Sequence, residues 1–148
     1  MALRLADYCA TDRVVFLAAR DKASALNELV TVLGADPRAG ERDPLLAAIL
    51  ARDEIVSTAI GFGIAIPHAR IESVKRLCMA VGLSREGIDY PSIDDKPVRV
   101  VVMIAASSQD QNLYLRVLSK VMAFLKKERD ALLRCETTAD AFGLIERY

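Results

Sequence analysis

The chain has 148 residues, 53% of them hydrophobic and 27% charged, with twenty acidic side chains against twenty basic ones and one histidine. That length suits a single domain over 1–148 with a real core, and so apolar a chain is not a disordered one. Balanced charge, no Trp, four Phe and four Tyr argue against a nucleic-acid partner or an anionic membrane surface.

From the N-terminus, MALRLADYCATDR lacks the apolar core of a secretory signal. Cys9, Cys78 and Cys135 are scattered, odd in number and without a C-x-x-C pair. This suits a reducing compartment and gives no metal-ligand spacing. No apolar run reaches membrane-spanning length, so a cytoplasmic protein is expected.

RVVFLAA (13–19) reads as the first strand. DKASALNELVTVLG follows with Leu26, Leu29, Val30 and Leu33 at helical spacing and Gly34 as a stop. ADPRAGERDP (35–44) reads as a flexible loop. Asp43 then looks like an N-cap with Pro44 at the first helical position, opening a helix LLAAILARDE with Leu45, Leu46, Ile49 and Leu50 inward. IGFGIAIP resembles a glycine-bounded strand that ends at Pro67.

RLCMAVGLS (76–84) and VRVVVMIAA (98–106) read as two further strands, the second central and covered on both faces. REGIDYPSIDDKP between them is rich in turn residues. NLYLRVLSKVMAFLKKE predicts a helix with Leu115, Leu118, Val121, Met122 and Leu125 on one face and Arg116, Lys120 and Lys127 towards water. A last helix spans about 138–146, with Ala141, Leu144 and Ile145 inward and Thr137 or Thr138 as cap. The class is α/β or α+β around one sheet closed by helices.

The lone histidine, His68, ends the stretch GFGIAIPH. An imidazole near its ordinary pKa of ~6.5 serves as base, nucleophile or metal ligand. A metal site wants three or four ligands, and no second His or Cys cluster is present. A serine hydrolase wants G-x-S-x-G, and neither Ser57 nor Ser84 sits in that frame. Attack on phosphorus needs an unprotonated nitrogen, a fixed ring and donors around the phosphoryl oxygens. Pro67 stiffens the backbone feeding His68. Gly61 and Gly63 allow positive φ and amides that face an anion. On spacing alone, a partly buried core histidine with one hydrogen bond remains an equal reading.

STAIGFGIAIPHAR resembles the phosphorylation-site signature of the fructose/mannitol-type EIIA family of the bacterial phosphotransferase system, S-T-G-I-G-x-G-[IV]-A-[IVL]-P-H. The matching residues are Ser57, Thr58, Ile60, Gly61, Gly63, Ile64, Ala65, Ile66, Pro67 and His68. ARDE (51–54), GIDYPSIDDKPVRVVVMIAA and LYLRVLSKVMAFLKK are similar to further family segments, in the same order from about Leu5 to Tyr148.

The resemblance implies an α/β fold, a single domain with a mixed central sheet flanked by helices on both sides. It implies that His68 accepts a phosphoryl group on Nε2 from a histidine phosphocarrier protein (HPr- or NPr-like). Arg52 stands where the family has an arginine that holds phosphoryl oxygens, with a solvated charge at a helix end as the alternative. No cofactor and no metal are implied.

Three departures stand out. Ala59 replaces a glycine, Phe62 fills a position often polar in relatives, and Tyr114 takes the place of the family's second histidine. Tyrosine donates a hydrogen bond but supplies no cation at neutral pH; Tyr114 is equally readable as a packing residue. Arg70 and Lys75 are candidate replacements for that charge. The resemblance is nearest the nitrogen-regulatory branch, through GIDYPSIDDKPV. The alternatives are a sugar-specific EIIA passing phosphate to a permease IIB domain, or an unphosphorylated interaction module with the same fold.

Overall fold

The two longest apolar segments pair with each other. β5 (Cys78–Ile88) and β6 (Val98–Ser107) run antiparallel, with Val81 opposite Val102. Their β-branched side chains suit a pleated surface buried on both faces. The structure, a computed structural model, describes residues 3–148. β1 (Val14–Phe16) adds to β5 in parallel, and β3 (Ile64–Ala65) and β4 (His68–Ile71) lie in succession along the far edge of β6, both parallel to it. β2 (Ala59–Gly61) closes antiparallel on β3, giving six strands in one mixed sheet.

Helices cover both faces. α1 (Lys22–Leu33) and α2 (Arg42–Ile55) bury Leu26, Leu29, Leu33, Leu45 and Ile49 with Val101 and Met103 of the sheet. On the other face, α3 (Gln111–Arg134) and α4 (Thr138–Ile145) pack Val117, Val121, Phe124 and Ile145 on Val100, Val102 and Ile104. The mixed α/β sheet flanked on both sides is the architecture expected. Among the described residues, no helix is long and apolar enough to cross a membrane.

Local differences have physical reasons. β1 is three residues long because Arg13 is drawn into a turn, buried, with its guanidinium 3.2 Å from Asp36. Asp36 also takes a fork from Arg38, so the supposedly flexible 35–44 segment is tied to the core. α2 begins at Arg42 after Glu41, which puts Pro44 third in the helix rather than first. Its missing N–H still falls in the turn that has no intrahelical acceptor. Leu46 and Leu50 are only half-buried; the buried stripe of α2 is Leu45, Ile49 and then Asp53.

α3 is longer than expected and turned about its axis. Tyr114, Val117, Val121, Phe124, Leu125 and Leu132 face inward, while Leu115 and Met122 are 49% and 43% exposed. Leu118 is half-buried, and Lys120 turns back to donate to the Leu3 carbonyl. In α4 the cap is Thr137, which accepts from the Asp140 amide, and Leu144 is half-buried.

Candidate functional site

The strand expected to end at Pro67 is two elements, and a third begins directly after it. Gly61, Phe62 and Gly63 have φ of 91°, 58° and 73°. Three successive left-handed residues fold β2 back on β3 as a hairpin. Pro67 has no N–H for a ladder, and its carbonyl accepts from the Ile104 amide at 3.0 Å. β4 therefore begins at His68, opposite Ile104. β2 reaches β3 but not β4, so among the described strands β4 has a neighbour on one side only. That open edge leaves the imidazole accessible.

His68 Nδ1 lies 2.7 Å from the Ile66 carbonyl oxygen. A carbonyl only accepts, so the neutral ring carries its proton on Nδ1 and leaves a bare lone pair on Nε2. Burial, and next the Arg52 charge, hold the imidazole below its ordinary pKa of 6.5, against the Ile66 carbonyl and Asp53. At neutral pH the ring is thus uncharged and nucleophilic.

His68 lines a groove of about 460 Å³ between the C-terminal half of α2 and the start of α3, with Arg52, Ile55, Arg70, Ser108 and Tyr114. Arg52, in the last turn of α2, is half-buried and leans its guanidinium towards the Val56 carbonyl at 3.5 Å. Among the described residues, no acidic side chain pairs with Arg52 or Arg70. Tyr114 is buried, its ring centroid 5.7 Å from that of His68. Lys75 lies elsewhere, beside Arg38 and Arg76.

Gly61 and Gly63 are not part of this groove. Ile64 pairs with Val100 and His68 with Ile104, so the hairpin tip is roughly 13 Å along the sheet. The anion its amide faces is a side chain: Phe62 N–H donates to Asp94 Oδ2 at 2.9 Å, while the Phe62 carbonyl accepts from Arg129. The two glycines shape the hairpin; Pro67 alone of the three loop residues borders the histidine.

A buried network beneath the groove was not visible in the sequence. Asp53 is 4% exposed and accepts from Lys22 Nζ at 2.7 Å, Thr58 N at 3.0 Å and Thr58 Oγ1 at 2.7 Å. Tyr90 joins it, its hydroxyl 2.6 Å from Thr58 Oγ1 and 3.1 Å from Asp53 Oδ1. Burial opposes the charge on Asp53, yet Lys22 and Thr58 outweigh it and keep the carboxyl below its ordinary pKa. The Ile66 amide donates to the Thr58 carbonyl at 3.0 Å. Asp53, Thr58, Ile66 and His68 are thereby held in one chain of hydrogen bonds. The only hints were the acid in ARDE and the Ser-Thr pair, since nothing in the spacing brings Lys22 or Tyr90 near.

Residues 8–148 match the family described as phosphoenolpyruvate-dependent sugar phosphotransferase system, EIIA 2. The chain is 37% identical over 131 residues to the fructose-specific EIIABC component of Bacillus subtilis, covering 87% of this chain but 21% of that protein. It spans about a fifth of that relative's length. With the fructose-specific EIIA component of Haloferax volcanii it shares 35% identity, over 78% of this chain and 77% of that one. With the nitrogen regulatory protein of Bradyrhizobium diazoefficiens it shares 26%, over 84% and 80%. Its fold is that of the nitrogen regulatory protein IIA-Ntr from Neisseria meningitidis, at a TM-score of 0.86, 22% identity, and 94% and 97% coverage. A match running from Tyr8 to the last residue shows that the chain belongs to the EIIA 2 family of the phosphotransferase system.

Proposed function

We propose that this chain is a phosphoryl carrier in which Nε2 of His68 accepts a phosphoryl group from a phosphorylated histidine phosphocarrier protein. The supporting observation is the Nδ1 contact with the Ile66 carbonyl, which leaves Nε2 as the one nitrogen with a free lone pair. In the transfer, Nε2 forms a bond to phosphorus as the donor's N–P bond breaks. The electron pair of that bond stays on the donor imidazole, which leaves neutral and keeps its own N–H. His68 retains its Nδ1 proton against Ile66 and spreads the resulting positive charge over the ring. Arg52 supplies a planar fork of donors for the phosphoryl oxygens.

Onward transfer to a sugar-permease IIB domain is the branch favoured by identities of 37% and 35% to fructose-specific relatives. A nitrogen-regulatory role is the second reading. It rests on the GIDYPSIDDKPV segment and on the 26% identical nitrogen regulatory protein. Either role belongs in the cytoplasm, where the donor is.

Incubation with radiolabelled phosphoenolpyruvate, enzyme I and a histidine phosphocarrier protein tests the acceptor role. We expect an acid-labile, base-stable label on the wild type and none on His68→Ala. An unlabelled wild type, or a label that survives the substitution, would overturn it. Chasing the labelled protein with a fructose-type IIB domain then separates the two branches.

A further inference from the structure

Two guanidinium groups line the groove of His68, and they come from different elements. Arg52 is delivered by α2 and Arg70 by β4 itself. Along a strand, residues two apart share a face, so His68 and Arg70 project together while Ala69 turns into the layer of α1 and α2. The ring of Tyr114 lies against both: its centroid is 5.3 Å from Arg70 Cζ and 5.7 Å from the His68 ring.

We propose that Arg70, carried on the face of Tyr114, is a second cation that holds the phosphoryl group on His68. Tyr114 serves as its platform rather than as a hydrogen-bond donor. The inference rests on the acceptor role of His68 and adds residues to that site.

The charge balance of the groove supports it. Elsewhere Arg20, Arg38 and Arg129 each meet a carboxylate, whereas among the described residues Arg70 meets none. The groove lining contains two arginines and no acid. Asp53, close by, is already neutralised by Lys22. An anion on His68 in this groove would therefore meet two arginines that no carboxylate neutralises.

The geometry explains why the ring matters more than the hydroxyl. Stacked on an aromatic face, a guanidinium is attracted by the ring's negative quadrupole and keeps its N–H edges free. Tyr114 is buried and its position is set by α3, so it fixes where an otherwise exposed arginine rests. Among the described residues, no protein group hydrogen-bonds the Tyr114 hydroxyl. As a neutral phenol it adds no charge, so the charge is Arg70's to supply.

Potassium phosphoramidate, a small phosphoryl donor that needs no partner protein, tests this apart from docking. The purified protein is charged with it, and the phosphorus resonance of phospho-His68 is titrated against pH. Arg70→Gln should slow charging about tenfold, as expected for losing one charge-assisted hydrogen bond. It should also raise the phosphoryl titration midpoint by about half a pH unit, because a nearby cation favours the dianion. Arg70→Lys should fall between. Tyr114→Leu should reproduce Arg70→Gln and add nothing to it in the double variant, whereas Tyr114→Phe should behave as wild type.

A wild-type midpoint in Arg70→Gln overturns the inference. So does a Tyr114→Phe variant as impaired as Tyr114→Leu, since the hydroxyl would then be the working group. Failure of the wild type to become charged on His68 overturns the acceptor role and this inference with it.

Discussion

The Nδ1 nitrogen of His68 sits 2.7 Å from the carbonyl oxygen of Ile66, two residues back along its own chain. The contact closes across Pro67, whose ring restricts Ile66 and itself, so the imidazole is oriented by the backbone that delivers it. Nitrogen NMR should find the proton on Nδ1 across the neutral range. The ring should titrate below 6.5, since burial and then Arg52 disfavour its charged form. Phosphoryl acceptance should therefore persist at neutral pH and fall only as acid protonates Nε2. Stability follows the same sign: below 6.5 the unfolded chain binds the proton more readily, so the fold weakens as pH drops. A measured value at or above 6.5 would contradict this account.

Arg52→Ala should slow phosphoryl acceptance by about a hundredfold, the scale of losing one preorganised donor to a developing oxyanion. Arg52→Lys should recover part of it, as a point charge without the planar fork. Because Arg52 also lowers the His68 pKa, the alanine variant should titrate closer to 6.5. Unchanged kinetics would reduce Arg52 to a charge at a helix end.

Asp53 is the structural keystone beneath the groove. Asp53→Asn leaves Lys22 without its anion, and should lower stability by about 3 kcal/mol, the lower end for breaking a buried pair. Tyr90→Phe removes one hydroxyl and should remove about 1 kcal/mol. Because its carboxyl titrates below the ordinary 3.8, the contribution of Asp53 is present above that pH and lost as acid protonates it in the fold. Urea unfolding at neutral pH checks the magnitudes, and a wild-type midpoint for Asp53→Asn would refute the network's role.

Phe62 holds φ at 58° and is 74% exposed. A left-handed conformation strains a bulky residue by about 1–2 kcal/mol, and little burial is lost with the ring. Phe62→Gly should therefore raise stability by about 1 kcal/mol, whereas Gly63→Ala, at φ 73°, should lower it by a similar amount. Denaturant midpoints that move the other way would show that the exposed ring stabilises the hairpin.

Several elements were legible in the chain because their cause is local. The β-branched run of β6 and the spacing of Leu26, Leu29, Val30 and Leu33 in α1 fix periodicity without reference to anything distant. The motif around His68 was legible as a resemblance, which carried the family and the fold. Misplaced elements failed where a partner from elsewhere intervened. Asp36 pulled Arg13 out of β1, and α3 packs Tyr114, Val117, Val121 and Phe124 into the core, so that Leu115 and Met122 face outward.

By itself, then, the sequence determined that a single domain would form around a covered central strand, and it set the one histidine directly behind a proline. Tertiary structure alone decided that the glycines lie away from that histidine and that Arg70 and Tyr114 lie beside it. It also decided that a buried aspartate joins Lys22, Thr58 and Tyr90 underneath. The reason is one of range. Backbone preferences act over a few residues, whereas electrostatic and packing contacts link positions that meet only once the sheet has ordered its strands.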